Sequence, residues 1–476
     1  MAHSSGGAPA PVFDRRPAVR RSVIVLAVLT AVLLLTRLVQ VGDISPFDPN
    51  EGWNAFQAVA AMGGGPLYPP PGGLTANNYP PLSFYLVGWF GTLTGDMVLA
   101  GRIVAFGSLL TVAALAGLIA RRLTGRGLAG AAAAITILLF AGSVFRAYLA
   151  MNDPQWLGLA FTAASLAIVL HRPAGERMPL AAAIGSALLA VAGVLTKHNA
   201  LAIPAAAGYY LLLHDRRALA VWIAVAASTM AGVVVADRMV FDGAMLANVL
   251  GAPRSYSLQR MLTHALIVIL FLPLLAASWR LKALRATEPR IDALLLGTLL
   301  AVTLAVIQGS GAGVDVNAWF EALVFVAILL GAGLTAPVAP PPIERWAPLL
   351  IALVAVILVG FGAVTSAKEL GQRNAQLAAS KDAIARVAAV PGPVACEIQA
   401  YCYWAGKGFA LDYFLYGESM RQTGSAAQLD LALQDGRIAA ALVEGSRDRV
   451  MPPAQAYLLA RMRVSHEWPE RRLLVR

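Results

Sequence analysis

Apolar runs recur through the first three quarters of the chain, most of them long enough to cross a bilayer. The pattern predicts spanning helices near 22–41, 98–120, 128–149, 155–170, 179–196, 199–213, 217–236, 262–279, 291–308, 318–335 and 346–365, about eleven in all. The run Leu82–Leu93 is shorter and reads as a juxtamembrane or re-entrant helix. Beyond residue 365 the pattern changes. A polar helical stretch, Ser366–Val390, meets a turn at Pro391-Gly392-Pro393, and strand-like runs follow at Val394–Tyr403, Ile438–Val443 and Leu473–Arg476. The expected organisation is a cytoplasmic tail over 1–21, an α-helical polytopic membrane domain over 22–365 with a first outer loop at 42–96, and a small extracytoplasmic α/β domain over 366–476.

Composition agrees with this class: 58% of residues are hydrophobic, 13% are charged and the mean hydropathy is +0.67. The net charge of +11 is mostly topogenic. Arg15, Arg16, Arg20 and Arg21 hold the N-terminus in the cytoplasm, and later cytoplasmic loops carry Arg121, Arg122 and Arg126, then Arg172 and Arg177, Arg216 and Arg217, Arg280, Lys282, Arg285 and Arg290, and Arg345. Loop 42–96 has neither Lys nor Arg. This distribution gives no case for nucleic-acid binding. No small-residue cleavage site follows the first run, so it is expected to be a retained anchor. No GxxxxGK[ST] loop, dinucleotide fingerprint, CxxC or HExxH pattern occurs, which argues against nucleotide as energy source and against a dedicated zinc site. Cys396 and Cys402 are the only cysteines, and their spacing leaves pairing open. The absence of an internal repeat weakens an inverted-repeat transporter reading.

Chemistry concentrates in loops on one face. Phe47–Gln57 places Asp48 and Glu51 three residues apart, one helical turn. The same loop later brings Asn77, Asn78 and Tyr79. The next loops on this face hold Arg146, Asn152 and Asp153; then Lys197, His198 and Asn199; then Arg254 and Tyr256; then Asp315, Asn317 and Glu321. Ionisable groups near membrane depth are costly and tend to mark function. A carboxylate can take a proton from an attacking hydroxyl, and cations can stabilise charge on a phosphate leaving group. Together they suggest group transfer from an anionic lipid-linked donor. Each residue also has a structural reading: Asp48, Glu51 and Asp153 as helix-start groups, Arg146 and Lys197 as snorkelling anchors, His198 as a hydrogen-bonded structural histidine, Arg37 and Arg102 as pairing residues.

The order of motifs resembles the GT-C class of polytopic glycosyltransferases, the group that includes protein O-mannosyltransferases (family 39), lipid A aminoarabinose transferases and rhizobial RgtA/B/C/D-like enzymes. The matching segments are DPNEGW, YPPLSFYL, the NDP at 152–154, TKHNALAIP and NAWFE. The chain departs where many relatives have adjacent Asp-Glu; here Asn50 precedes Glu51, and the nearest acid is Asp48. The resemblance implies inverting transfer of a sugar from a polyprenyl-phosphate donor to a glycan, lipid or protein hydroxyl, on the outer face of a bacterial inner membrane. Asp48 would be the base, with Glu51 and Asp153 orienting the acceptor. Lys197, Arg146, His198 and Arg254 would hold the donor phosphate, and Tyr79, Asn152, Asn317 and Glu321 would line the pocket. A metal-using variant would hold a divalent cation, Mg2+ or Mn2+, between Asp48, Glu51 and Asp153. The rival classes are a polytopic transporter of a lipid-linked or polar substrate, with ionisable groups along a midplane path, and a noncatalytic envelope assembly subunit.

Overall fold

The computed structural model describes residues 16–277, 281, 285, 288–335, 347–445 and 451–476. The tail before residue 16, and Arg280, Lys282 and Arg345 of the basic loops, lie outside them. Every predicted span has a helix. In chain order these are α1 (Arg16–Leu38), α4 (Met97–Thr124), α5 (Gly127–Gly142), α6 (Gln155–Val169), α7 (Leu180–Thr196), α8 (Ala202–His214), α9 (Arg216–Phe241), the pair α11 (Leu258–Ala265) and α12 (Val268–Ala277), α13 (Arg290–Gln308), α14 (Phe320–Thr335) and α15 (Ala347–Ala389). The first long loop contributes α2 (Asn50–Val59) and α3 (Leu82–Thr94), and α10 (Ala244–Gly251) follows α9.

Among the described residues seven helical segments are long and apolar enough to cross a membrane. Helices α5, α6, α7 and α8 are shorter than the span pattern suggested, at 16, 15, 17 and 13 residues. Local breaks explain this. After Gly142 the chain turns through a 3-10 segment at Arg146–Tyr148 and a left-handed Ala150 at φ 60°, where a non-glycine residue costs roughly 1–2 kcal/mol. Between α7 and α8 it unwinds at Lys197–Leu201. The 13 residues of α3 extend about 20 Å, too short to span as expected.

Helix α14 is buried on all sides and forms the bundle's axis, as a helix apolar all round should. Small residues let its neighbours close on it. A Cβ at Gly331 would stand 2.4 Å from the Ala129 carbonyl of α5, and one at Gly130 only 2.6 Å from the Gly117 carbonyl of α4. Most of α9 instead faces outward. The basic loops gather at one end of the bundle. Arg122 donates to the Ala167 carbonyl, Arg290 to the Leu170 carbonyl, and Tyr210 to the Arg172 carbonyl.

The polar stretch after residue 365 continues the last membrane helix, so that α15 runs unbroken for 43 residues. It leads to a four-stranded sheet in the order β1-β2-β4-β3, with β1 (Val394–Cys396), β2 (Ala440–Glu444), β3 (Arg463–Trp468) and β4 (Arg471–Val475). β1 and β2 are parallel and the other pairings antiparallel. Helices α16 (Gln399–Trp404), α17 (Tyr413–Thr423), α18 (Ala427–Gln434) and α19 (Pro453–Arg461) connect them. The expected strand at 394–403 is corrected here, because its second half is α16. That bend brings Cys402 back to Cys396, with which it forms a disulfide.

Candidate active site

Glu51 opens α2 and is fully buried. Arg102, on α4, grips it with two N–H bonds, Nε to Oε1 at 2.8 Å and Nη2 to Oε2 at 2.6 Å. The backbone N–H of Phe47 donates to Oε2 at 2.7 Å, and that of Asn152 to Oε1 at 3.1 Å. Four donors fill the roughly four acceptor sites of a carboxylate. Glu51 is therefore a structural anchor, which corrects its expected role in acceptor orientation or metal binding. The rest of the Arg102 guanidinium holds the carbonyls of Val41, Asp43 and Ser45. The Phe47 ring centroid lies 3.8 Å from Arg102 and 3.5 Å from Arg37, a cation on each face.

Asp48 projects from this clamped loop. It is half-buried, accepts the Asn50 N–H at 2.9 Å, and has no cationic partner among the described residues. Burial lifts its carboxyl to about 6; the Asn50 hydrogen bond opposes the shift, while the neighbouring charges of Glu51, Asp153 and Asp315 reinforce it.

Asp153 and Lys197 form the centre of a second group. Asp153 follows the strained Ala150 turn, and its Oδ1 accepts the Gln155 N–H at 2.8 Å. Its Oδ2 is buried without a hydrogen-bond partner and lies 3.7 Å from Lys197 Nζ. That ammonium is also buried with no hydrogen bond, 3.7 Å above the Tyr79 ring centroid. Buried polar groups are nearly always satisfied, so an ammonium in this state is equipped to receive an anionic ligand. The Tyr79 ring stands 5.1 Å from Trp53 and 6.5 Å from His198. Arg254 is close enough for its charge to act on both Lys197 and His198. Loop 255–257 pairs with 310–312, which ties the Arg254 segment to the chain just before Asp315. Asn317 sits nearby, donating to Gln155 Oε1 at 3.4 Å.

The helix break that presents Lys197 is held by Glu321. Glu321 accepts the Ala202 and Ile203 N–H groups at 3.3 and 2.8 Å, satisfying the open end of α8. Glu321 thus caps α8. Asn152 lines a small cavity beside Asp153 and is held by structural partners. It is buried, its side chain donates to the Glu51 carbonyl, and a Cβ at Gly101 would lie 1.8 Å from its Oδ1. Arg146 does not join Lys197; it is committed to Glu369, the Leu33 carbonyl and Thr36. Among the described residues no group of three or more His, Cys, Asp or Glu is arranged to hold a metal ion, and with Glu51 saturated the expected cation site does not fit these side chains. The sequence reading missed Asp412, which accepts the Trp53 indole N–H at 2.9 Å and links the C-terminal domain to the site.

No family model matches the sequence, and no curated protein does either. Among solved structures, ArnT from Cupriavidus metallidurans bound to undecaprenyl phosphate superposes with a TM-score of 0.61 at 14% identity, covering 94% of this chain and 97% of that one. Its apo form gives 0.61 at 13%, covering 96% and 98%. The apo oligosaccharyltransferase of Archaeoglobus fulgidus gives 0.51 at 12%, covering 91% of this chain and 70% of that one. This chain has the GT-C fold. Both the helical bundle and the C-terminal unit fall within the superposed length of the GT-C neighbours, since coverage is near complete for ArnT.

Proposed function

We propose that the chain transfers a sugar from a polyprenyl-phosphate donor to an acceptor hydroxyl on the outer face of a bacterial inner membrane, with inversion. The observation that carries this reading is the buried Lys197 ammonium, without a hydrogen-bond acceptor and one short step from Asp153. The ArnT neighbour binds undecaprenyl phosphate, which is the ligand chemistry such a cation suits. The acceptor oxygen forms a bond to the anomeric carbon while the bond from that carbon to the phosphate oxygen breaks. Asp48 takes the hydroxyl proton, and polyprenyl phosphate leaves with its developing charge held by Lys197 and Arg254. The Tyr79 ring and Asp153 keep Lys197 oriented. Opposite the basic loops, this end of the bundle is the extracytoplasmic one if the arginines sort as expected. Purified protein incubated with polyprenyl-phosphate sugars should release polyprenyl phosphate, and Asp48→Asn should abolish the release while preserving the folded protein. Full activity in that variant would remove Asp48 from the reaction.

A further inference from the structure

A polar cavity of about 390 Å³ is lined in part by Phe47 and by none of Asp48, Tyr79, Asp153, Lys197 and Arg254. It is bounded by the end of α1, the 40–47 segment, the turn at 143–147 and the long helix α15. Three arginines line it, Arg37, Arg146 and Arg373, against two acids, Asp43 and Glu369. Arg373 holds Asp43 with two bonds of 2.7 Å. Glu369 is shared, bonding Arg146 at 2.8 Å and lying 3.5 Å from Arg37. One positive charge is left over among these five side chains. Arg37 is only 5% exposed, and its Nε is buried with no hydrogen-bond partner. A buried guanidinium with an unused N–H is a costly arrangement unless an acceptor completes it.

The surroundings of the mouth select the kind of acceptor. Phe361 lines the cavity and is 52% exposed, and its neighbours on the same face of α15, Ile357 and Val364, are exposed as well. Cationic depth beside an exposed apolar helix face is suited to an anion that carries hydrocarbon chains. We propose that this cavity binds the phosphate head group of a membrane lipid, with Arg37 and Arg373 on the phosphate and the lipid chains along the exposed apolar face of α15. The site is distinct from Lys197 and does not depend on the transferase reading.

The test is native mass spectrometry of the full chain in detergent, titrated with dioleoyl phosphatidic acid, with inorganic phosphate in a parallel arm. A retained lipid adduct is expected. Arg37→Gln should weaken it on the order of tenfold, the scale of one charge-assisted hydrogen bond, and Arg373→Gln by several-fold. Lys197→Gln should leave it unchanged. Arg373 is partly exposed, so its variant decides the matter should Arg37→Gln fold poorly. Undiminished lipid binding in both arginine variants overturns the proposal, as does loss confined to Lys197→Gln. Competition by millimolar inorganic phosphate as effective as the lipid would overturn the lipid assignment.

Discussion

Replacing Glu51 separates an anchor from a catalyst. In Glu51→Gln the carboxylate loses its charge, and one of its two oxygens becomes an NH2 group facing donors. Whichever way the amide turns, either the Arg102 Nη2 and Phe47 N–H pair or the Arg102 Nε and Asn152 N–H pair meets a donor instead of an acceptor. An unsatisfied buried donor costs about 1–3 kcal/mol. Arg102 is 1% exposed, and leaving one member of a buried pair uncompensated costs roughly 3–5 kcal/mol. These terms describe the same loss twice, so the expected destabilisation is about 4 kcal/mol rather than their sum. At roughly 2 °C per kcal/mol for a large chain, the melting temperature should fall by about 8 °C. The assay is thermal unfolding of the detergent-solubilised protein beside its rate of polyprenyl phosphate release. Activity of the folded fraction at low temperature should fall less than in Asp48→Asn. A variant that melts like the wild type yet has no turnover would refute the anchor assignment and return Glu51 to the reaction.

Asp48→Asn should behave in the opposite way. Its carboxyl rises from 3.8 to about 6, so the folded state holds this proton more tightly than the unfolded one, and stability contributed here falls as pH rises between those values. At neutral pH the charged group is therefore a cost, and Asp48→Asn should be inactive with an equal or higher melting temperature; a marked fall in melting temperature would contradict this. The same pKa predicts that donor turnover in the wild type climbs through about pH 6 and is level above it, which a pH profile of kcat/KM checks. Lys197→Gln should abolish release at any donor concentration, whereas Arg254→Gln should mainly raise the donor KM, because only Lys197 is buried; equal effects on kcat and KM in both would oppose this division. Gly52→Ala would set a Cβ 1.9 Å from the Ala400 backbone nitrogen, with no flexible side chain to yield. It should reduce the yield of folded protein, measured by size exclusion, far more than a substitution at exposed Gly107.

The helices were legible because a span writes itself in local composition, and each predicted run has its helix. Partnerships between distant residues were not. Glu51 and Arg102 are 51 positions apart, and Arg146 and Glu369 are 223 apart, so spacing could mark these residues as unusual without saying that they satisfy one another. The same reason hid Asp412, 359 positions from Trp53. Strand β3 escaped because it is an exposed edge strand with Arg, Ser, His and Glu along it, as edge strands tend to be. The 394–403 run misled in the other direction: its buried aromatic and aliphatic residues suit a strand, but they pack as a helix against α2. By contrast, the pairing of Lys197 with Asp153 and Tyr79 joined residues that had all been singled out, because loops of a helical bundle that end on one face are brought together by the fold.

The departure from an adjacent Asp-Glu pair has a physical meaning in this arrangement. A general base needs an unused lone pair and a pKa near the working pH. Glu51 has neither a free acceptor site nor a position from which to meet a substrate, since Arg102 and two backbone groups close around it. That closure leaves Asp48 without a cationic partner among the described residues, as the proposed base role requires. By binding the Val41, Asp43 and Ser45 carbonyls along with Glu51, Arg102 fixes both ends of the 41–51 segment, and the Phe47 ring wedged between Arg37 and Arg102 stops it from rotating. Asp48 then stands on a rigid support beside Asp153 and Asp315, whose charges help hold its proton affinity up. The two acids divide the work: one is spent on the loop's shape so that the other can remain unpaired.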